Sequence, residues 1–320
     1  MTDTSTPRLQ HFPIAWFAMI MGLGGLTLAW NRAESLLRLP VSLSPYLLVL
    51  TTLLFLALGV AYALKMIKYR AAVRMEWNHP VKMSFLPTFS IALIILSIGW
   101  LSVSAAASKW LWITGSVLHL VLTLHIISQW MHQTKFEIVH LNPAWFIPVV
   151  GNILVPIAGV QHAPVELSWF FFSIGIVFWP VLLAIIFYRV IFHGSLPERL
   201  LPTLFILIAP PAVGFLSYLR LTGEIDAFGL VLYFSGLFFT VLLIAQAPWF
   251  LRLKFFLSWW AYSFPLAAIT LATLAMYHHA GTGLFLGLSG ILLGITTAVI
   301  AGLFVRTAVA VARREICLQE

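Results

Sequence analysis

The sequence predicts an all-α integral membrane protein with ten transmembrane helices. Of its 320 residues, 61% are hydrophobic and only 9% are charged, whereas soluble domains carry about 25% charged residues. Ten apolar runs cover nearly the whole chain, and each approaches the roughly 20 residues that a helix needs to cross the hydrocarbon core. Lys and Arg lie mainly between these runs, so the basic composition indicates membrane topology and not nucleic-acid binding.

The ten runs follow one another with short connections, which favours a series of two-helix hairpins. The lipid bilayer is therefore the first expected partner. The predicted spans are roughly 11–30, 45–64, 83–106, 110–131, 144–160, 165–188, 202–219, 227–250, 255–277 and 282–305.

The distribution of positive charge predicts the orientation. With ten spans, the N-terminus, the even-numbered loops and the C-terminus share one side, and that side holds 14 of the 18 Lys and Arg residues. The other side holds Arg32, Arg38, Lys109 and Arg220. Because positive charge concentrates on the cytoplasmic side, both termini are expected in the cytoplasm. The domain prediction is a tail at 1–10, a ten-helix transmembrane domain at 11–306 and a second tail at 307–320.

Proline recurs in every odd-numbered span, whereas among the even-numbered spans only Pro180 is clearly internal. A proline inside a helix removes a backbone hydrogen bond. Broken backbone at membrane depth is tolerated where protein buries it or where it lines a cavity. We therefore expect the odd spans to form an inner ring and the even spans an outer wall. The predicted lining and kink residues are Phe12, Pro13, Phe85, Pro87, Phe146, Pro148, Pro210, Pro211 and Pro265.

Charged side chains are absent from the predicted spans, except Glu166 at the edge of the sixth. Proton- or sodium-coupled carriers usually need ionisable groups within the membrane. Here only His119 and His125 could serve as a proton relay, and they lie six residues apart, which is not one helix face. A buried histidine that hydrogen-bonds to a neighbouring helix is the structural alternative.

Few other groups point to chemistry. The single cysteine, Cys317, excludes an intrachain disulfide and a multi-cysteine metal site. No nucleotide loop, metal cluster or activated nucleophile is present, so the sequence predicts no catalysis, no cofactor and no metal. A membrane redox protein with haem between His119 and a second histidine such as His278 remains an alternative from a different class.

Small anions fit this pattern as the transported species. The spans lack the acidic groups that attract cations, and basic residues surround the cytoplasmic mouth, which raises the local anion concentration. Phe264 directly precedes Pro265, and at a break near the middle of the ninth span its ring could form an apolar constriction. Simple packing of Phe264 is the other interpretation, and spacing leaves the two open.

Four segments in order resemble one family across essentially the whole chain: HFPIAWFAMIMGLGG, NPAWFIPVVGNILVPIAG, LFILIAPPAVG and SWWAYSFPLA. The chain is similar to the tellurite-resistance/dicarboxylate transporter family, which includes bacterial TehA and the slow anion channels of plant guard cells. The resemblance implies five hairpins around a central pore, a homotrimer with one pore per protomer, and anion conduction. It also implies that the Phe of YSFP, Phe264, occludes the pore.

The resemblance leaves one functional alternative within the same family. This alternative is a passive or proton-coupled secondary transporter or exporter of dicarboxylate, sulfite or tellurite. The short tails favour the bacterial branch and an inner-membrane location. A glycine stripe on the last span predicts close helix packing or an oligomer face, and it consists of Gly283, Gly287, Gly290 and Gly294.

Overall fold

The computed structural model describes residues 8–40 and 42–317, and this part of the chain contains ten helices long and apolar enough to cross a membrane. Of the predicted tails, residues 1–7 and 318–320 lie outside the described residues. All ten predicted spans are confirmed. We label them α1 to α10: Ile14–Leu37, Ser44–Lys68, Lys82–Trp100, Ala105–His132, Pro143–His162, Val165–Phe192, Glu198–Thr222, Ala227–Ala245, Leu257–Ala280 and Gly283–Ala312.

The odd-numbered helices form the predicted inner ring. In α1, α3, α5, α7 and α9 between 72% and 83% of an apolar 18-residue stretch is buried, against 22% to 39% in the even-numbered helices. Each inner helix packs against the next one in chain order, and α9 packs back against α1, which closes the ring. Each even-numbered helix packs on the outside of the helix before it, so the chain is five hairpins.

Every inner helix changes its backbone geometry along its length, whereas each outer helix is a single α-helix. α1 begins with a 3₁₀ turn at Ile14–Trp16 and becomes α-helical at Phe17. α7 is a 3₁₀ helix over Glu198–Ile208 and α-helical from Ala209, and α9 changes at Ser263. The expected break near the middle of the ninth span is therefore wrong, whereas the change in α7 at Ala209 does lie near the middle of that span. Except for Pro13, which precedes a 3₁₀ turn, the predicted prolines lie just before or within the first turn of an α-helical segment, where a missing N–H costs little.

Side chains satisfy carbonyl groups at these junctions. Thr123 Oγ1 of α4 donates to the Pro148 carbonyl at 2.6 Å, and Ser90 Oγ donates to the Pro87 carbonyl at 2.9 Å. Ser263 Oγ donates to the Trp260 carbonyl at 2.6 Å. Because hydrocarbon supplies no donors, these bonds allow the ring to keep its irregular backbone.

Most of the observed helices are longer than predicted, although α3 and α8 are shorter. The longer helices carry charged residues near their ends, which corrects the expectation of spans nearly free of charge. Lys65, near the end of α2, pairs with Glu76 of the short helix Arg70–Asn78 at 2.7 Å, and both side chains are buried. Glu76 also accepts from the Ile14 N–H at 2.7 Å. This buried pair therefore holds the start of the first inner helix.

The two described chain ends lie together, where Arg8 Nη2 donates to the Ile316 carbonyl at 3.4 Å. We call this side of the bundle the terminal face and the other side the opposite face. All five inner helices begin at the terminal face, because each is followed by one outer helix that returns to it. The 3₁₀ segments that begin α1, α3, α7 and α9 therefore lie in the terminal half of the bundle.

Candidate functional site

A cavity lies at the centre of the ring and has an empty volume of about 760 Å³, including the part open to solvent. All five inner helices contribute to its wall. The lining residues cluster where 3₁₀ geometry gives way to α-helix, in the terminal half of the ring. They include Ala15, Ala18 and Met21 of α1, Phe85, Thr88 and Ile91 of α3, Phe146, Val150 and Gly151 of α5, Ile206, Ala209, Pro210 and Val213 of α7, and Ser258, Ala261, Phe264 and Pro265 of α9.

The cavity wall is almost entirely apolar and contains no ionisable side chain. Two hydroxyl groups are the polar exceptions. Thr88 Oγ1 donates to the Phe85 carbonyl at 2.6 Å, so its hydrogen is engaged. Ser258 Oγ is buried without a hydrogen-bond partner among the described atoms. A wall of this kind opposes entry of water and ions by dewetting, and only Ser258 offers a free donor.

Phe264 is half-buried and lines the cavity. Its ring packs against the backbone of α1 at Gly25, where an added Cβ would lie 3.4 Å from Phe264 Cδ2. The same Cβ would lie 2.8 Å from the Cβ of Ala267, the next turn of α9. A methyl group at residue 25 would therefore touch the Phe264 ring at van der Waals distance but would overlap the Ala267 methyl group.

The local backbone of α9 explains how the ring reaches this position. The α-helix begins at Ser263, and Pro265 follows within its first turn. Phe264 therefore lies in the first third of the span. This corrects the expectation that it lies near the middle. On the facing helix, Gly22 leaves space for the Ser263 side chain. Together Gly22 and Gly25 set how closely α1 approaches the segment that carries Phe264.

The other residues predicted to line the pore divide into two groups. Phe85, Phe146, Pro210 and Pro265 contribute to the cavity wall. The remaining five lie outside this wall, and they are Phe12, Pro13, Pro87, Pro148 and Pro211. Phe12 instead stacks on Trp16 at 5.4 Å near the terminal face. Helix phase is the reason for the division, because neighbouring residues such as Pro210 and Pro211 point about 100° apart.

The two histidines proposed for a proton relay lie in different environments. His119 is fully buried, and its Nδ1 lies 2.9 Å from Ser90 Oγ of α3. Its Nε2 has no hydrogen-bond partner among the described residues and lies behind the cavity wall, 2.6 Å from where a Cβ on Gly151 would be. His125 is exposed on the outside of α4, with its ring 6.0 Å from that of Trp77. The structure does not bring the two histidines together.

The haem alternative receives no support from the packing around His119. His278 is exposed near the end of α9, whereas His119 is enclosed by Ile91, Ser90 and Gly151. A flat macrocycle has no room beside a ring packed this closely. No group of three potential metal ligands occurs among the described residues either.

Sequence comparison identifies the family of this ring. The model of the SLAC1 family, described as voltage-dependent anion channel, matches residues 11–308. This match covers all five hairpins. The chain belongs to the SLAC1 family. The family assignment agrees with the resemblance inferred from the four sequence segments, and it places the chain among anion channels and transporters.

Individual SLAC1-family relatives are distant. The chain is 30% identical over 281 residues to the S-type anion channel SLAH2 of Arabidopsis thaliana, which covers 85% of this chain and 54% of the relative. It is 27% identical to an uncharacterized transporter of Methanocaldococcus jannaschii, with 85% of this chain and 87% of the relative covered. It is 26% identical to the tellurite resistance protein TehA homolog of Haemophilus influenzae, with 83% and 81% covered. The chain spans about half the length of the plant relatives SLAH2 and SLAH3.

Two features of the site have no recognisable signal in the sequence. Gly25 stands in a run of small residues, MGLGGL, and nothing in the run marks the one that faces Phe264. Ser258 is the first residue of the segment SWWAYSFPLA, and nothing in that segment marks it as a polar group in the wall. Only the phase of α1 against α9 distinguishes such positions, and phase between helices distant in sequence is a tertiary property.

Proposed function

We propose that the chain is an anion channel in which small anions move passively through the five-helix ring and Phe264 acts as the gate. The observation that carries this proposal is the position of the Phe264 ring in a cavity lined by all five inner helices. An apolar wall without acidic groups does not concentrate cations, and an aromatic side chain across it excludes ions until it moves. Membership of a family described as anion channels supports the same function.

The test is the anion current of wild-type protein and of Phe264→Ala in planar bilayers, with the reversal potential followed across an anion gradient. We expect a small wild-type current, a much larger current in Phe264→Ala, and an intermediate one in Phe264→Leu, because leucine keeps part of the bulk. Phe255→Ala is the matched control. Phe255 lies outside the cavity wall against Trp259, with ring centroids 5.6 Å apart. An equal current in wild type and in folded Phe264→Ala would refute the gate.

A secondary transporter or exporter of dicarboxylate, sulfite or tellurite is the second candidate function. The unpartnered Nε2 of His119 favours it, because this is a titratable atom directly behind the cavity wall. The names of the archaeal transporter and of the TehA homolog are consistent with it. Electrically silent protein, with uptake of labelled malate that follows a proton gradient and is lost in His119→Gln, would select this function over the channel.

We further propose a bacterial inner-membrane location with the terminal face in the cytoplasm. The support is the concentration of 14 of the 18 basic residues on that face. Reporter fusions at either end should give a cytoplasmic signal, and a periplasmic signal would overturn the orientation.

The assembly that we propose is a homotrimer with one pore in each protomer. On α10 an added Cβ at Gly283, Gly287, Gly290 or Gly294 would meet no described atom within 4 Å. These glycines therefore leave an open strip on the outer surface and do not pack within the protomer. Crosslinking in membranes tests the trimer, and a monomer in both membranes and mild detergent would exclude it.

A further inference from the structure

Two arginines extend the cavity-lining faces of inner helices toward the opposite face. Arg32 follows Met21 by eleven residues on the unbroken α-helix Phe17–Leu37, and Arg220 follows Val213 by seven on the α-helix Ala209–Thr222. At about 100° per residue, both separations return to within roughly 20° of the starting direction. Arg32 and Arg220 therefore stand above Met21 and Val213, which line the cavity.

Both guanidinium groups belong to the same mouth of the ring, because Arg32 lies five residues before the end of α1 at Leu37 and Arg220 lies two residues before the end of α7 at Thr222. α1 and α7 are not neighbours in the ring, since each packs against a different side of α9. The two arginines thus reach this mouth from different sides of the ring and not along a shared helix contact. Arg32 is half-buried and Arg220 is exposed, so the charge of Arg32 is less well hydrated than that of Arg220.

Nearby protein groups leave most of this positive charge uncompensated. Arg220 Nε donates to the Ile157 carbonyl at 3.3 Å, and its two terminal nitrogens have no partner among the described residues. Arg32 makes no side-chain hydrogen bond within the described part of the chain, and no described carboxylate lies within 4.0 Å of either guanidinium. A partly buried positive charge without a counter-ion is unfavourable, and an anion bound at this mouth removes that cost.

Four described acidic residues belong to the opposite face. Glu166 and Glu224 form no ion pair with either arginine, and Glu34 and Asp226 are engaged elsewhere. The Glu34 carboxylate accepts from the Leu43 N–H at 2.5 Å and from the Ser44 N–H at 2.9 Å, and so holds the start of α2. The Asp226 carboxylate accepts from the Gly229 N–H at 2.9 Å and the Tyr218 hydroxyl at 2.6 Å. Those bonds keep the pKa of Asp226 below its usual range, so it remains charged but directed toward the start of α8.

We propose that Arg32 and Arg220 form an anion-binding site at the opposite mouth of the ring, which takes a small planar oxyanion such as nitrate or a carboxylate. Two guanidinium forks match the oxygens of a planar oxyanion, whereas a spherical halide meets each fork less completely. The site deepens and rests on the proposed channel function, because it delivers the anion to the pore from the face that carries fewer basic residues.

The first arm of the test measures binding without conduction. Purified protein in an oxyanion-free buffer is titrated with sodium nitrate and, separately, with sodium chloride by calorimetry. We expect nitrate to bind more tightly than chloride and its affinity to fall at least about tenfold in Arg32→Gln/Arg220→Gln. Arg38→Gln is the matched control, since it removes one positive charge from the same face at an exposed position outside the cavity-lining surface.

The second arm measures nitrate current that enters from the opposite face. At about 10 mM salt, where screening extends over about 30 Å, the double variant should conduct severalfold less than Arg38→Gln, and at about 1 M salt the difference should vanish. Unchanged nitrate affinity in the double variant would overturn the site, whatever the currents. Binding that the double variant loses, in a wild-type protein that carries no current, would keep the site and refute the channel.

Discussion

Gly25→Ala tests whether the gate depends on the close approach of α1 and α9. The new Cβ would lie 2.8 Å from the Cβ of Ala267, whereas carbon atoms prefer about 3.5–4.0 Å. Both carbons are attached directly to backbone, so no side-chain rotation relieves the overlap and the helices must separate. Overpacking of this kind costs about 1–3 kcal/mol, and the higher helix propensity of alanine returns about 1 kcal/mol.

The net cost of about 0–2 kcal/mol falls on the close approach of α1 and α9, which holds the Phe264 ring beside Gly25. If about 1 kcal/mol of it favours displacement of the ring, the open fraction rises about fivefold. The assay is the basal anion current of Gly25→Ala in planar bilayers, together with its midpoint of unfolding in detergent. We expect a larger basal current and a slightly lower midpoint than in wild type.

Ala267→Gly supplies the internal control for this prediction. In the double variant Gly25→Ala/Ala267→Gly the overlap between the two Cβ atoms is gone, and only the 3.4 Å contact with Phe264 Cδ2 remains. Basal current should therefore return toward the wild-type value, with a coupling between the two substitutions that a double-mutant cycle detects. The reasoning is refuted if Gly25→Ala conducts like wild type, or if Ala267→Gly does not reverse its effect.

Two further predictions concern charged groups outside the cavity. Glu76→Gln should lower the free energy of unfolding by about 3–5 kcal/mol, because it leaves the buried Lys65 ammonium uncompensated. Adding Lys65→Met to the same chain should recover part of the loss. A midpoint of unfolding in detergent equal to that of wild type would contradict this prediction. Asp226→Asn should lower stability at neutral pH. The folded-state pKa of Asp226 is depressed, so its contribution is present above the unfolded value and disappears as pH falls through the folded one. A wild-type–variant difference that persists at the lowest pH would show that the charge is not responsible.

The span count and the inner ring could be predicted because both follow from local properties of the chain. Apolar length determines which segments can cross a bilayer, and proline in alternate segments marks those whose backbone must be buried. The proline rule also predicted a break near the middle of the ninth span, and this position is wrong. Pro265 lies in the first turn of an α-helix, because its missing N–H is tolerated there, and so Phe264 lies in the first third of α9.

The charged residues show a second limit of the sequence. The predicted second span, 45–64, leaves Lys65 in a loop, because a lysine normally ends an apolar run. In the structure it is buried and bonded both to Glu76 and, at 2.8 Å, to the Phe12 carbonyl. A pair separated by a helix break can be recognised only when the chain has folded back on itself. Arg32 and Arg220, 188 positions apart, are placed at the same mouth of the ring for the same reason.

By itself, the sequence determined that this chain is a ten-helix membrane protein, which segments form the ring and which family it belongs to, since composition, spacing and ordered motifs are properties of the chain. The tertiary structure alone decided which face of each inner helix meets the cavity. It seated the Phe264 ring on Gly25, placed His119 Nε2 behind Gly151, and left the two mouth arginines without a carboxylate partner. Each of these depends on the rotation of one helix against another, which the free energy of packing sets only when all five hairpins are in place.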